Sequence, residues 1–253
     1  MSLGDGRDMR WLSLNSYPAH GHSTCGSTGK RWVHAPRARA VRVDVALCWA
    51  GGAGSLLALD ALLAEGHRIT LVHAPTQREW GRRVRALPTF LVEAQAAALD
   101  LPLRLAGAGA QRETDALADA AAASGATHAA FGFVRGEEHV GWKLGKTLRA
   151  RGLEPLLPVR HQPPGEAARI LVDRGARLVV RAVATGGPRH ALGRVLDEEL
   201  VDDVDAAYGR AGWSALRTFT TGGPPFAKRV DVVSGETVEA EDGVALALAL
   251  AGC

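Results

Sequence analysis

The stretch Val41–Ser55, VRVDVALCWAGGAGS, decides how the rest of the chain is read. Val41, Val43, Val45, Ala46 and Leu47 are small or β-branched apolar residues, which suits a strand buried on both faces. Gly51-Gly52 then lets the backbone turn tightly without a Cβ clash, and Leu56, Leu57, Leu59, Leu62 and Leu63 recur at helical spacing behind it. In an α/β sheet such a unit places backbone N–H groups and the positive end of a helix at the carboxyl edge of a strand, where anions bind. The alternative is an ordinary connection that needs glycine for its geometry alone.

Downstream, Arg68–His73 (RITLVH) is expected as a second strand after the turn Glu65-Gly66-His67. Residues 76–85 are polar and hold Arg78, Arg82, Arg83 and Arg85, either a grip for phosphate or carboxylate groups or a solvated loop. A helix is expected from Pro88 to Leu99 with Leu91, Ala94, Gln95 and Ala98 on one side, then a short strand over Leu101–Leu105. An alanine-rich helix follows over Gln111–Ser124, closed by Gly125, and a strand over Thr127–Phe133. The polar cluster Gly136–Trp142 sits at the carboxyl end of that strand. There His139 is a candidate general base, oriented by Glu137 or Glu138; the alternative is a helix N-terminus whose acids complement its dipole.

Leu153–Val159 (LEPLLPV) is extended by its two prolines and is expected to end the first unit. Beyond it the pattern predicts a helix over Gly165–Asp173, a strand over Ala176–Val183 and an acidic helix from Gly193 to about Asp203. In the tail, turns at Gly222–Pro225 and Ser234-Gly235 separate β-rich pieces, and the alternating run Val244–Leu250 is expected as an edge or hairpin strand.

Bulk properties narrow the classes. At 253 residues the chain can bury a sizeable core without staples. Cys25, Cys48 and Cys253 are widely spaced, so neither a disulfide framework nor a zinc site is expected and a reducing cytoplasm fits. The net charge of +3 is concentrated in residues 1–40, through Arg7, Arg10, Lys30, Arg31, Arg37 and Arg39 against Asp5 and Asp8. No broad basic face for DNA is therefore expected, and no apolar run reaches the ~20 residues of a membrane span. Residues 1–40 lack apolar periodicity and are expected to form a poorly ordered extension; His20, His22, Cys25 and His34 match no standard zinc spacing.

The order of these pieces resembles the diphthine-ammonia ligase group of the PP-loop ATPases, also called adenine nucleotide alpha hydrolases. The resemblance rests on CWAGGAGSLLAL, LPTFLVEAQAAALDLPL, AAFGFVRGEEHVGW, GLEPLLPV, LGRVLDEEL and GPPFAKRVDV, which occur in that order from about Val43 onward. It implies a HUP-type, Rossmann-like parallel sheet with helices on both faces, plus a smaller C-terminal α+β domain. The implied division is a 1–40 extension, a 41–159 nucleotide-binding domain and a 160–253 substrate domain. It also implies ATP and Mg2+, an acyl substrate adenylated with release of pyrophosphate, and ammonia displacing AMP. Besides nucleotide and acyl substrate, a second copy of the chain is a candidate partner.

The family's loop reads Ser-Gly-Gly-Lys-Asp-Ser. Here Gly51, Gly52 and Ser55 are kept, while the first serine is Ala50, the lysine Ala53 and the aspartate Gly54. Gly-Asp at the end of the fourth strand is Gly132-Phe133, His-Gly before the second helix is Arg85-Ala86, and a conserved C-terminal stretch survives as Arg217-Thr218-Phe219. The resemblance thus assigns nucleotide binding to Gly51, Gly52, Ala53, Gly54, Ser55 and Arg85. Loss of a charge aimed at the transition state typically costs about 3 kcal/mol of barrier, so a catalytically inactive scaffold is the alternative to an amide ligase. A flavoprotein-like or universal-stress-like nucleotide binder is the third reading.

Overall fold

The computed structural model describes residues 42–75, 87–107, 113–135 and 138–252, with the side chains of 138–143 excepted. The first unit alternates strand and helix: β1 (Asp44–Cys48), α1 (Ala53–Ala64), β2 (Arg68–His73), α2 (Thr89–Leu99), β3 (Leu103–Leu105), α3 (Glu113–Ala123), β4 (His128–Phe131), α4 (Glu138–Arg149) and β5 (Glu154–Leu156). The strands form a parallel sheet in the order β3-β2-β1-β4-β5.

The doubly apolar reading of β1 follows from two helix layers. Val45 and Leu47 point into a core shared with Leu57, Leu59 and Leu62 of α1 and Leu91 and Val92 of α2. Ala46 points to the opposite face, where Ala118 and Ala121 of α3 and Leu144 and Leu148 of α4 pack. The fold is thus a Rossmann-like α/β sheet covered on both faces. The prolines of 153–159 do not prevent pairing, because β5 lies at the sheet edge with Pro155 opposite Ala129.

A second, antiparallel sheet follows in the order β7-β6-β9-β8. It comprises β6 (Arg177–Ala184), β7 (Leu216–Gly222), β8 (Val232–Ala240) and β9 (Gly243–Leu250), with α5 (Pro164–Asp173), α6 (Glu198–Ala207) and α7 (Gly209–Ala215) between the strands and before them. Two expectations are corrected here, and an alternative left open for the last strand is decided. Helix α6 begins at Glu198 rather than Gly193, because Val195 bridges Val179 of β6 and Asp197 caps the helix by accepting from Leu200 N at 2.8 Å. Ser234-Gly235 does not turn; it lies inside β8 at a register shift, and the chain reverses at Glu241-Asp242. The β9 strand is a hairpin partner of β8 but not an edge, since β6 pairs with its other side.

Helix α1 is buried nearly all round because it sits between the two sheets, with β1 and β2 on one side and α5 and β7 on the other. One apolar core therefore runs from Leu47 and Leu57 through Leu171 to Val180, Phe219 and Leu248. Among the described residues no helix is long and apolar enough to cross a membrane.

Candidate functional site

Strand order reverses between β1 and β4, which neighbour each other while their following helices lie on opposite faces. In open α/β sheets ligands bind in the crevice beyond the carboxyl ends at such a switch point. The glycine loop 49–52 leaves β1 at that place, and Gly132 leaves β4 beside it. The two segments touch: a Cβ built on Gly54 would stand 2.2 Å from Gly132 O, and one on Gly132 would stand 2.5 Å from Ser55 N. Neither position admits a side chain.

Each loop residue has a defined setting. Gly51 has φ +74, and a Cβ on it would meet Leu87 Cδ2 at 2.7 Å and Gln95 Oε1 at 2.8 Å, so glycine is required twice over. Gly52 is the N-cap of α1. The Ala53 amide donates to Thr218 Oγ1 of β7 at 2.9 Å, and the Ala50 amide donates to Ser55 Oγ at 3.0 Å. Ser55 is only 6% exposed. The amides of Gly54 and Ser55 find no acceptor among the described residues. They are the orphan donors of a helix start, directed where the positive end of its dipole lies.

Behind the loop lies a polar brace in the core. Gln95 of α2, 0% exposed, accepts from Trp49 Nε1 at 2.8 Å and donates through Nε2 to Gly51 O at 3.0 Å and Thr220 O at 2.7 Å. Thr220 N also donates to Gly51 O at 2.8 Å. One side chain thus ties α2 and β7 to the loop. His73, at the carboxyl end of β2, lies with Nδ1 2.9 Å from Trp49 O, so that nitrogen carries the proton and donates. Its Nε2 is buried without a hydrogen-bond partner among the described residues. Burial lowers the imidazole pKa, against the opposing pull of the Trp49 carbonyl and of Glu113.

Two further ionisable groups are shifted by burial, the half-buried Cys48 and the buried Arg181. Burial pushes the Cys48 thiol up to about 12, so it is no thiolate at neutral pH. Arg181 of β6 is brought down to about 10 by burial, with Arg217 adding to the effect, and stays charged at neutral pH.

The expected nucleotide contacts therefore divide. Gly51, Gly52, Ala53, Gly54 and Ser55 lie together at the switch point, joined by Gly132 and by Thr218 of the Arg217-Thr218-Phe219 stretch. Arg85, with Arg78, Arg82 and Arg83, lies outside the described residues, as does Glu137. Glu138 and His139 open α4, with their side chains outside the described part. The role of Gln95 was not foreseen: its place on the buried side of α2 was visible, but an apolar face holding a glutamine does not say what it binds. Among the described residues no group of three or more His, Cys, Asp or Glu side chains is placed to hold a metal.

The fold and the loop define a Rossmann-like α/β protein with a glycine turn at its switch point. No family model matches the chain, and no curated protein matches it. A solved structure described as a predicted subunit of tRNA methyltransferase from Methanocaldococcus jannaschii is similar at 14% identity and a TM-score of 0.42, over 74% of this chain and 100% of that one. A likeness this distant says nothing about activity.

Proposed function

We propose that the protein binds an adenine nucleotide, ATP with Mg2+ or its product AMP, with the phosphate group at the first turn of α1. The observation that carries this is the pair of amides at Gly54 and Ser55, without acceptors among the described residues, at the switch point of a doubly wound sheet. Main-chain donors do not depend on side-chain identity, so they fit a phosphate even though Ala50, Ala53 and Gly54 stand where PP-loop ligases carry serine, lysine and aspartate. The described loop brings no carboxylate to a metal, so Mg2+ would enter on the nucleotide's own oxygens. Under the ligase reading ATP would supply an adenylate leaving group to an acyl substrate.

A specific observation favours the second reading, a nucleotide-binding or scaffold protein without turnover. The amides of Ala50 and Ala53 are already engaged by Ser55 and Thr218, so part of the family's phosphate cradle is closed by the chain itself. Calorimetric titration with ATP, AMP and Mg2+ tests binding; absence of heat with all of them removes the nucleotide reading. Pyrophosphate release with ATP, Mg2+, ammonia and a panel of carboxylic acids separates ligase from scaffold, and release with any acid overturns the scaffold reading. The cytoplasmic location and the homodimer belong to the same proposal, the latter testable by light scattering.

A further inference from the structure

We propose that His73 accepts, through Nε2, a hydrogen bond from a ribose hydroxyl of the nucleotide, and so reads the sugar while the first turn of α1 holds the phosphate. The contact rests on the nucleotide reading given above. His73 closes β2, between β1 and β3, and pairs with Leu105 of β3. On its other side Trp49 N donates to Val72 O at 2.8 Å, so His73 stands at the carboxyl edge where the chain leaves β1 for the glycine turn. Its Nδ1 donates to Trp49 O, the first carbonyl of that turn, at 2.9 Å. Glu113, which opens α3 at the same edge of the sheet, is close enough to act on the ring electrostatically.

With Nδ1 carrying the proton, Nε2 keeps a lone pair, and burial holds the imidazole neutral at neutral pH. The residue is only 7% exposed, and Nε2 meets no donor among the described residues. A buried acceptor left without a donor is unfavourable, so a ligand that brings an O–H to it gains more than it would from an acceptor already served by water. Position decides which donor arrives. In doubly wound sheets the residue that closes the second strand, about 20 residues past the glycine turn, reaches the ribose hydroxyls of a nucleotide whose phosphate sits on the first helix. His73 holds that position relative to Gly51 and Gly52. Where such folds carry a carboxylate, the neutral imidazole offers the same acceptor without adding negative charge beside a phosphate.

The test is calorimetric titration of the full chain with AMP, its 2′-deoxy and 3′-deoxy analogues, the AMP analogue without the exocyclic amine, and inorganic pyrophosphate. Wild type, His73→Asn and His73→Gln are compared, with melting curves to show that each variant is folded. Asparagine keeps an amide N–H for Trp49 O and places nothing at the Nε2 position, whereas glutamine can place its carbonyl oxygen there. The expected result is that wild type prefers AMP over at least one deoxy analogue by roughly tenfold, that His73→Asn loses this preference and His73→Gln recovers part of it, and that affinity for pyrophosphate is the same in all three. Wild type binding AMP and both deoxy analogues equally would overturn the sugar contact and leave the nucleotide reading standing, as would a preference that survives in His73→Asn. Discrimination only against the analogue without the amine would assign the donor to the base and overturn the ribose contact. A loss in His73→Asn that extends equally to pyrophosphate would mark a disturbed glycine turn and overturn it too. Binding of no nucleotide by wild type would overturn both readings.

Discussion

Gln95 shows how much one polar side chain can hold. Its amide satisfies the Trp49 indole and the Thr220 carbonyl and adds a second donor to Gly51 O, all out of reach of water. Gln95→Leu leaves the indole N–H and the Thr220 carbonyl buried without these bonds, each at about 1–3 kcal/mol, so a loss of roughly 2–4 kcal/mol is expected in urea unfolding. A loss well below about 1 kcal/mol would mean that the brace is dispensable. Gly132→Ala places a methyl against the backbone of Gly54 and Ser55, which cannot rotate away, and is expected to destabilise by at least about 3 kcal/mol. His73 sets a pH dependence. Its folded pKa lies below the ordinary value of about 6.5, so the unfolded chain binds the proton more readily. Stability is then fully present above about pH 6.5 and declines as pH falls below it. His128, also lowered by burial, acts in the same direction, so His73→Gln should flatten the decline in melting temperature between about pH 8 and about pH 5 without abolishing it. An unchanged slope would show that His73 does not titrate on unfolding.

At the scale of elements, the start of α1 is closed from a distance. Gly52 brings no side chain to the first turn, and the cap comes from Thr218, 165 residues from Ala53. Thr218→Val keeps the shape and removes the acceptor, so about 1 kcal/mol of stability should be lost, with Thr218→Ser recovering most of it. Equal stability of the two variants would show that the hydroxyl does not cap the helix. Elements with a strong local pattern were legible: Arg68–His73 as a strand, and α2 and α5 to within a residue or two. The α6 start was not, because the pairing of Val195 with Val179 holds residues 194–196 extended, and no local signal reveals a partner sixteen residues back. Ser234-Gly235 failed for the same reason: the cross-strand ladder to β9 carries a turn-like dipeptide straight through β8.

For the whole molecule, the continuous core around α1 predicts that the two sheets unfold together, although the chain reads as two units with a division near Val159. Tryptophan fluorescence and far-UV circular dichroism should therefore give coincident urea transitions; separated midpoints would favour independently stable units. The sequence alone was sufficient for the alternation of strands and helices, the α/β class and the glycine turn after β1, because these follow from apolar period and from the backbone freedom of glycine, which act over a few residues. Only the tertiary structure decided what surrounds that turn. The fit of Gly54 against Gly132, the reach of Thr218 to Ala53 and the brace of Gln95 all join segments far apart in the chain. Hydrogen bonding and close contact depend on distance in space, which local pattern does not encode.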